Sequence, residues 1–365
     1  MPTKDRIIFY LIVTVILISG IISVFHDYQW YDTPIVRIEK AENSLSEKSG
    51  GNGAGEKYYV QTLTGTVLNG ADRGKEVQLQ NQYSSSGVYD DEYQAGDEVF
   101  AQIRPGNGEN LTGIITGLKR DKYVAILSAL FILLILIILN KKGIFPVLSL
   151  LANIGVFWYA LDLYARGYNL LMLSNCLVLF FTIVSLLFIG GFSRKTYAAI
   201  LATLISICIT MLLFKIVMTY TDGVDYAFME YIANPNDLPE IFMSQMLIGG
   251  LGAAMDVAIS EAAAVNELVV KDSEIPLKEL LKSGREVGHD VMGTMINVML
   301  FTYISGSIPL IILKMNNDIR LHTIILWHMP MELYRFLIGS IGILLTIPVS
   351  LLVSIVLFRK WRRFA

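Results

Sequence analysis

Charged residues are scarce in this sequence. Asp, Glu, Lys and Arg make up 17% of its 365 residues, whereas apolar residues make up 54%. A soluble globular domain carries about a quarter of its residues as charges, so this composition excludes an ordinary soluble protein. The formal net charge of −3 also argues against nucleic acid as a partner, because that partner requires a basic surface. The surplus of apolar side chains predicts a lipid bilayer as the main environment of the chain.

Cysteine is nearly absent. Only Cys176 and Cys208 occur, and both lie within long apolar runs, where cysteine behaves as a small hydrophobic residue. A disulfide framework is therefore excluded for the polar part of the chain, and no Cys or His spacing indicates a metal site. Phosphate-binding loops, H-E-x-x-H motifs and nucleophile elbows are missing as well. We therefore predict neither an enzyme nor a bound cofactor or metal.

Long apolar runs are what the sequence has instead. Each is near the twenty residues or so that an α-helix needs to cross the hydrocarbon core of a bilayer. No small-x-small cleavage pattern follows the first run, so we interpret residues 1–25 as a retained transmembrane anchor. We predict eight transmembrane helices, at residues 7–25, 123–139, 144–162, 169–190, 196–217, 240–268, 291–314 and 335–358.

Basic residues are concentrated in every second connection between these runs. Because cytoplasmic loops are rich in Lys and Arg, this alternation predicts that both termini are cytoplasmic and that residues 26–122 are extracellular. The basic residues concerned are Lys4, Arg6, Lys141, Lys142, Arg194, Lys195, Lys278, Lys282 and Arg285.

The polar insertion after the first run has the pattern of a small β domain. Gly, Ser and charged residues dominate KAENSLSEKSGGNGAGEK, so we predict a flexible linker over residues 26–57. Short strand-like segments follow at YYVQTLTGTVL, KEVQLQNQ, DEVFAQI and LTGIITGLK, separated by turn sequences. They predict a small all-β, OB-like barrel at residues 58–120, followed by a seven-helix transmembrane domain at 121–365. Such a barrel serves many functions, so its fold alone defines no ligand.

The segment KDSEIPLKELLKSGREVG lies between the sixth and seventh runs. It carries Pro276 where a first helical turn would be, and Leu277, Leu280 and Leu281 on one helical face. This pattern predicts an amphipathic helix that lies along the inner membrane surface.

Polar side chains inside the predicted sixth helix form one stripe. A charge at the centre of a membrane helix costs about 2.5–3.5 kcal/mol, so charges that are present there are the first candidates for function. Within GGLGAAMDVAISEAAAVNEL, helical spacing places Asp256, Ser260 and Glu267 on one face. The alternative is structural: Ser260 would contribute to packing, and Glu267 would lie at the membrane interface.

A second polar stripe opens the predicted seventh helix. Within GHDVMGTMINVMLFTY, Asp290, Thr294 and Asn297 share one face, and together the two stripes predict an intramembrane polar or ion-binding site. The alternative is that Asp290 caps the N-terminus of this helix and complements its dipole. Close helix packing is predicted at five glycines of these two regions, Gly249, Gly250, Gly252, Gly288 and Gly293.

Three ordered motifs resemble the YibE/F family of bacterial multipass membrane proteins. They are GGLGAAMDVAISEAAAVNEL, LLKSGREVGHDVMGTMINV and MELYRFLIGSIGILLTIPVS, and the similarity extends from residue 120 to the C terminus. The first span and the GTVLNGADRGKEV…YQAGDEVFAQI region resemble the extracellular part of the longer, YibE-like members. The positions that match the family motifs are Asp256, Gly288, Asp290, Gly293, Thr294 and Asn297.

Two positions depart from the family pattern. Glu261 stands where similar sequences have apolar or small residues, and His289 stands where an arginine is usual. The resemblance implies no defined activity. Because family members often occur as adjacent, paired genes, it implies a second, shorter YibE/F-like membrane subunit as a partner.

Two functions are open at this point. The first is a membrane transporter or permease subunit, in which Asp256 binds or relays a cation or proton and Thr294 and Asn297 complete the site with neutral oxygens. The alternative is a non-transporting scaffold or sensor that docks a partner membrane subunit or an envelope ligand. In that alternative the polar stripes form hydrogen bonds between helices.

Overall fold

A computed structural model of the chain describes residues 4–45, 57–85, 87, 90–105, 111–220, 226, 238–272 and 274–362. The chain divides into two compact units, Met1–Gly143 and Ile144–Ala365. The first unit combines a β-barrel with two apolar helices, and the second unit is helical.

A closed five-stranded barrel forms the centre of the first unit. Its strands follow the order β1-β2-β3-β5-β4, and every neighbouring pair is antiparallel except β3 and β5, which run parallel. This topology confirms the OB-like barrel predicted from the sequence, and four of the five strands coincide closely with the predicted segments. The elements of this unit are α1 Lys4–Phe25, a 3-10 helix Asp27–Trp30, β1 Ile35–Leu45, β2 Tyr58–Val67, β3 Glu76–Ser84, β4 Glu98–Pro105, β5 Leu111–Leu118 and α2 Asp121–Leu139.

The predicted linker is wrong in its first part. Residues 27–30 form the 3-10 helix, and residues 35–45 form β1, which pairs with β2 along most of its length and with the start of β4. Only Ile35, Val36 and Ile38 of β1 are buried, and the rest of the strand is exposed and mostly polar. The alternation that identifies a half-buried strand is therefore missing from most of β1. Residues 46–56 of the predicted linker lie outside the described part of the chain.

A buried lysine fixes the barrel to the helices of the first unit. The side chain of Lys119, which is 1% exposed, places Nζ 2.9 Å from Asp27 Oδ1 and 2.8 Å from Asp121 Oδ2. Nζ also donates a hydrogen bond of 3.3 Å to the carbonyl of Val24 in the last turn of α1. Burial alone would lower the pKa of Lys119, but the hydrogen bonds and negative charges of Asp121 and Asp27 raise it above its ordinary value. The end of α1, the end of β5 and the start of α2 are thereby joined at one point.

Seven apolar helical stretches of the described residues are long enough to cross a membrane. The stretch Asp121–Ala165 contains two helices, α2 and α3, separated by a 3-10 turn at Asn140–Gly143. Because this stretch holds two helices, the described residues carry eight segments long and apolar enough to cross a membrane, in agreement with the prediction. The helices of the second unit are α3 Ile144–Ala165, α4 Leu170–Gly190, α5 Arg194–Tyr220, α6 Leu238–Gly249, α7 Leu251–Lys271, α8 Leu277–Asn316, α9 Leu321–His328 and α10 Pro330–Arg362.

The predicted surface helix is not a separate element. It is the first part of α8, a single helix of 40 residues that continues through the predicted seventh span. Leu280 is buried in the core of the bundle, and Gly284 and Gly288 lie directly against Leu351 and Ile347 of α10. Because these glycines let α10 approach, the segment packs onto the bundle instead of lying along the membrane surface.

Helices α5, α7 and α10 form the core of the second unit. Small residues line their contacts: Ala199 and Ala202 on α5 face Ala258 and Ala262 on α7, and all four are fully buried. Small side chains bring helix backbones close together, which is how membrane helices associate without a hydrophobic driving force between them.

Candidate functional site within the membrane helices

The predicted sixth span is interrupted at Gly250. Helix α6 ends at Gly249, and α7 starts at Leu251. A Cβ atom on Gly249 would lie 2.6 Å from the Tyr303 hydroxyl, and one on Gly250 would lie 3.7 Å from Gly339 Cα. Both glycines therefore admit a neighbouring helix at the interruption. Gly252 does not have the predicted role, because its face is exposed and nothing lies within 4 Å of the position of a Cβ.

The polar stripe of α7 lies on the exposed face of this helix. Asp256, Ser260 and Glu267 are all exposed, whereas the opposite face, which includes Ala258 and Ala262, is buried in the bundle. Within the described residues, none of the three polar side chains makes a hydrogen bond or an ion pair. The stripe therefore faces the surroundings of the chain.

The polar stripe of α8 is exposed in the same way. Asp290, Thr294 and Asn297 all lie on the exposed face. The Thr294 hydroxyl donates to the carbonyl of Val291 at 2.8 Å, and the Asn297 amide donates to that of Gly293 at 2.9 Å, so both bond within their own helix. Asp290 lies well inside α8, and the alternative that it caps the helix N-terminus is therefore wrong.

The two stripes do not touch each other through hydrogen bonds among the described residues. Helices α7 and α8 meet instead through apolar side chains, with Val257 of α7 and Met299 of α8 in one buried cluster. Gly288 lies close to Ile347, as expected for a packing glycine, whereas the space beside Gly293 is open. No group of three or more His, Cys, Asp or Glu side chains in the described part of the chain is placed to hold a metal ion.

A buried polar seam is the feature that the sequence analysis missed. It lies where α5, α7 and α10 pack together, and all its side chains are buried. The sequence contained a signal for this seam. On α5 and on α10 its polar residues recur every three or four positions, so on each helix they share one face. The seam consists of Thr203, Ser206, Thr210, Glu261, Thr346, Ser350 and Ser354.

Glu261 is the most unusual member of the seam. It is 1% exposed, and both its carboxyl oxygens lack a hydrogen bond within the described residues. Ser350 lies beside the carboxyl group, but its hydroxyl donates to the carbonyl of Ala258 at 3.2 Å. A buried carboxylate without a partner is strongly unfavourable, so Glu261 is stable there only with a proton or a cation.

A small cavity adjoins the seam. Its volume is about 20 Å³, and its polar wall is formed by Ser206, Thr210 and Thr346. A cavity of this size holds one water molecule, and three hydroxyl groups are enough to bind it. The cavity is too small for a larger ligand, so the seam is not a substrate pathway in this conformation.

Two family models match the chain. The model of the YibE/F-like protein matches residues 127–360, and that of the YibE/F family N-terminal domain matches residues 29–118. The second match includes β1, in agreement with a barrel that begins before residue 58. Comparison with curated proteins and with solved structures finds no match. The chain is therefore a multipass membrane protein that belongs to the YibE/F family.

Proposed function

We propose that this chain is a subunit of a membrane transporter and that the polar faces of α7 and α8 line part of its path. The observation that carries this proposal is the exposure of Asp256 in the middle of the span Leu238–Lys271. A carboxylate that faced acyl chains at this depth would cost about 2.5–3.5 kcal/mol. The face that bears Asp256 is therefore expected to meet water or another protein.

The interruption at Gly250 favours transport over a passive role. It lies six residues before Asp256 in the same span. Coupled carriers hold their ions beside interrupted membrane helices, where backbone and side-chain groups are free to bind. In this proposal Asp256 binds or relays a cation or proton, while the Thr294 and Asn297 side chains offer neutral oxygens on the adjacent helix.

A partner membrane subunit completes the path in this proposal. We propose that a second, shorter YibE/F-like subunit covers the exposed polar faces. We also propose that the chain lies in a bacterial cell membrane, with both termini cytoplasmic and the barrel extracellular, because basic residues occupy every second connection. No enzymatic activity is assigned to it.

A non-transporting scaffold is the second candidate. The same observation supports it, because exposed Ser260, Thr294 and Asn297 side chains would form hydrogen bonds with the helices of a docked partner. In that case the polar faces would not contact water once the partner is bound.

A flux measurement tests the proposal. The purified chain, alone and together with the shorter subunit, is reconstituted in liposomes that enclose a pH-sensitive dye, and proton movement is followed under imposed Na⁺ or K⁺ gradients. Asp256→Asn is expected to abolish the flux, whereas Glu279→Gln, an exposed carboxylate outside both stripes, retains it. Equal flux in wild type and Asp256→Asn would remove the proposed site. Normal insertion with loss of subunit assembly in Asp256→Asn would favour the scaffold.

Water contact at the stripe is a second, independent readout. A thiol reacts with a maleimide as the thiolate, which forms only in contact with water. In a chain whose Cys176 and Cys208 are replaced by alanine, Ser260→Cys is expected to react in proteoliposomes. The matched control is Leu179→Cys, at an exposed position of α4 with no polar stripe, which is expected to be protected. Equal protection of both thiols in the assembled complex would contradict a water-lined path.

A further inference from the structure

An open groove lies between α8 and α10, separate from the exposed stripe of α7. Its volume is about 820 Å³, within the range of sites that hold small molecules. The wall formed by α10 is apolar and consists of Leu344, Ile347, Pro348 and Leu351. The opposite wall, on α8, carries five ionisable side chains, Lys282, Arg285, Glu286, His289 and Asp290.

These ionisable side chains form two rows of different charge. Helical spacing places Lys282, Arg285 and His289 on one row and Glu286 and Asp290 on the next. Lys282 and Glu286 are four residues apart, the spacing at which helical ion pairs form. Even so, none of the five side chains makes an ion pair or hydrogen bond within the part of the chain that the structure describes. Charges of both signs are therefore available to a ligand.

The groove lies at a boundary in the composition of α8. The part of α8 up to Asp290 is rich in charged residues, whereas residues 291–313 contain none. Such a change marks the level at which a helix passes from water into the hydrocarbon core. The groove is thus expected at the depth of the lipid headgroups. Leu351 and Ile347 lie level with Gly284 and Gly288 of the charged part, and Leu344 lies at the end nearer the hydrocarbon core.

Pro348 adds a polar group to the apolar wall. Proline has no backbone N–H, so the carbonyl of Leu344, four residues earlier, lacks its usual helical donor. Both residues line the groove. The carbonyl is a neutral acceptor for a ligand that carries N–H groups.

We propose that this groove binds a glycerophospholipid whose headgroup carries both a phosphate and a primary amine. The phosphate binds Lys282 and Arg285, and the guanidinium fork of arginine suits two phosphate oxygens at once. The ammonium group binds the Glu286 carboxylate. The acyl chains leave the groove at its Leu344 end, towards the hydrocarbon core. A headgroup without an amine leaves the carboxylates unpaired, and a choline headgroup has no N–H to donate.

Lipid retention by the full-length protein tests this proposal. The chain is reconstituted in vesicles with equal amounts of phosphatidylethanolamine, phosphatidylcholine and phosphatidylglycerol that carry the same acyl chains. After extraction in mild detergent, the retained lipids are quantified by mass spectrometry. We expect phosphatidylethanolamine to be enriched about tenfold over the other two lipids, as one charge-assisted hydrogen bond would give.

Matched variants separate the two parts of the headgroup. Lys282→Ala with Arg285→Ala is expected to abolish the enrichment of phosphatidylethanolamine, whereas Lys271→Ala, an exposed lysine outside the groove, leaves it unchanged. Glu286→Gln is expected to remove the preference for the amine headgroup over choline, with Glu279→Gln as its control. Leu344→Trp fills the groove and is expected to lower retention of all three lipids. Asp290 stays unchanged throughout, because it also belongs to the stripe of α8.

Several outcomes would overturn the proposal. One is a retained mixture with the composition of the vesicle, and another is enrichment that the groove variants leave unchanged. Enrichment of phosphatidylglycerol would indicate a simple anion site that does not use Glu286. Displacement of the lipid by soluble glycerophosphoethanolamine at equal concentration would indicate a water-soluble ligand instead. Lipid retention is measured independently of flux, so the absence of lipid enrichment would not contradict the transport proposal.

Discussion

The Ser350 hydroxyl donates its hydrogen bond to the carbonyl of Ala258, 3.2 Å away, and leaves the neighbouring Glu261 carboxyl group without a hydrogen bond among the described residues. Helices α10 and α7 are thus joined by a hydrogen bond from a serine to a backbone carbonyl, and the acid beside it contributes no hydrogen bond to this packing. Glu261 occupies a place that the bundle would fill equally well with an apolar side chain.

Replacing Glu261 by methionine is therefore expected to stabilise the bundle. An apolar side chain of similar volume avoids the desolvation of the acid, and changes of this kind raise the free energy of unfolding by about 1–4 kcal/mol. The measurement is the midpoint of thermal unfolding in detergent, compared with Glu279→Met at an exposed position of α8. A lower midpoint for Glu261→Met than for this control would mean that the acid forms a stabilising interaction.

The glycines of α8 offer a matched pair of alanine substitutions. A Cβ on Gly288 would lie 2.6 Å from Ile347 Cγ2, and the stiff β-branched side chain of isoleucine cannot move away easily. Gly288→Ala is expected to lower the free energy of unfolding by about 1–3 kcal/mol through overpacking. Gly293→Ala meets open space and is expected to raise it by up to about 1 kcal/mol, because alanine favours the helix.

Thermal unfolding of both variants under the same conditions gives the comparison. The expected order of midpoints is Gly293→Ala, wild type, Gly288→Ala. If both alanines shift the midpoint equally, the contact between α8 and α10 is not as close as described.

Removing the cation at Lys119 is expected to destabilise the first unit. Lys119→Met leaves the buried Asp27 and the partly exposed Asp121 without their counter-charge, and the loss of one partner from a buried ion pair costs about 3–5 kcal/mol. Lys75→Met is the control, since Lys75 pairs with Asp72 at 2.8 Å while 59% exposed, and such pairs contribute about 0–1 kcal/mol.

Limited proteolysis of the full-length protein in increasing urea measures both variants. Adding Asp27→Asn to Lys119→Met is expected to restore part of the lost resistance, because one uncompensated charge disappears. Equal resistance of Lys119→Met and Lys75→Met would show that the buried ion pair does not hold the barrel.

Tyr31 makes the stability of the contact between the barrel and the start of α2 depend on pH in the alkaline range. Its hydroxyl donates to Asp121 at 2.6 Å, and this hydrogen bond, with burial, raises the pKa of Tyr31 from 10.0 to about 12. Because the pKa in the folded state is higher than in the unfolded state, the contribution to stability is complete below pH 10 and is lost as the pH rises to about 12. The difference in tyrosinate absorbance between wild type and Tyr31→Phe is expected to titrate near the upper value. A midpoint of this difference near 10.0, the ordinary value for tyrosine, would show that the hydrogen bond is absent.

The span positions followed from the sequence because hydropathy over about twenty residues is a strong and local signal. The strands β2 to β5 were equally visible, since inward residues such as Leu63 and Leu79 alternate with polar ones. β1 lacks this alternation beyond Ile38, and its strand structure depends on pairing with β2. Pairing between distant segments has no local sequence signal.

The polar stripes show how far a functional site can be predicted from the sequence. Helical spacing correctly grouped Asp256 with Ser260, and Asp290 with Asn297, but it does not state which face of a helix the bundle covers. Glu261 was noted only as a departure from the family pattern, although it is the buried acid. Burial depends on the neighbours of α7, and these are set by tertiary packing, beyond the helix's own periodicity.

The closed barrel restricts how the β domain can recognise anything. Each of its five strands has a neighbour on both sides, but β1 pairs with β4 only at Ile35, Val36 and Arg37. Among the described residues, positions 40–45 of β1 therefore pair with β2 alone and leave one short exposed edge. An extended peptide or a second copy of the domain can add a strand only along such an edge, and elsewhere a ligand of this domain must be held by side chains and loops.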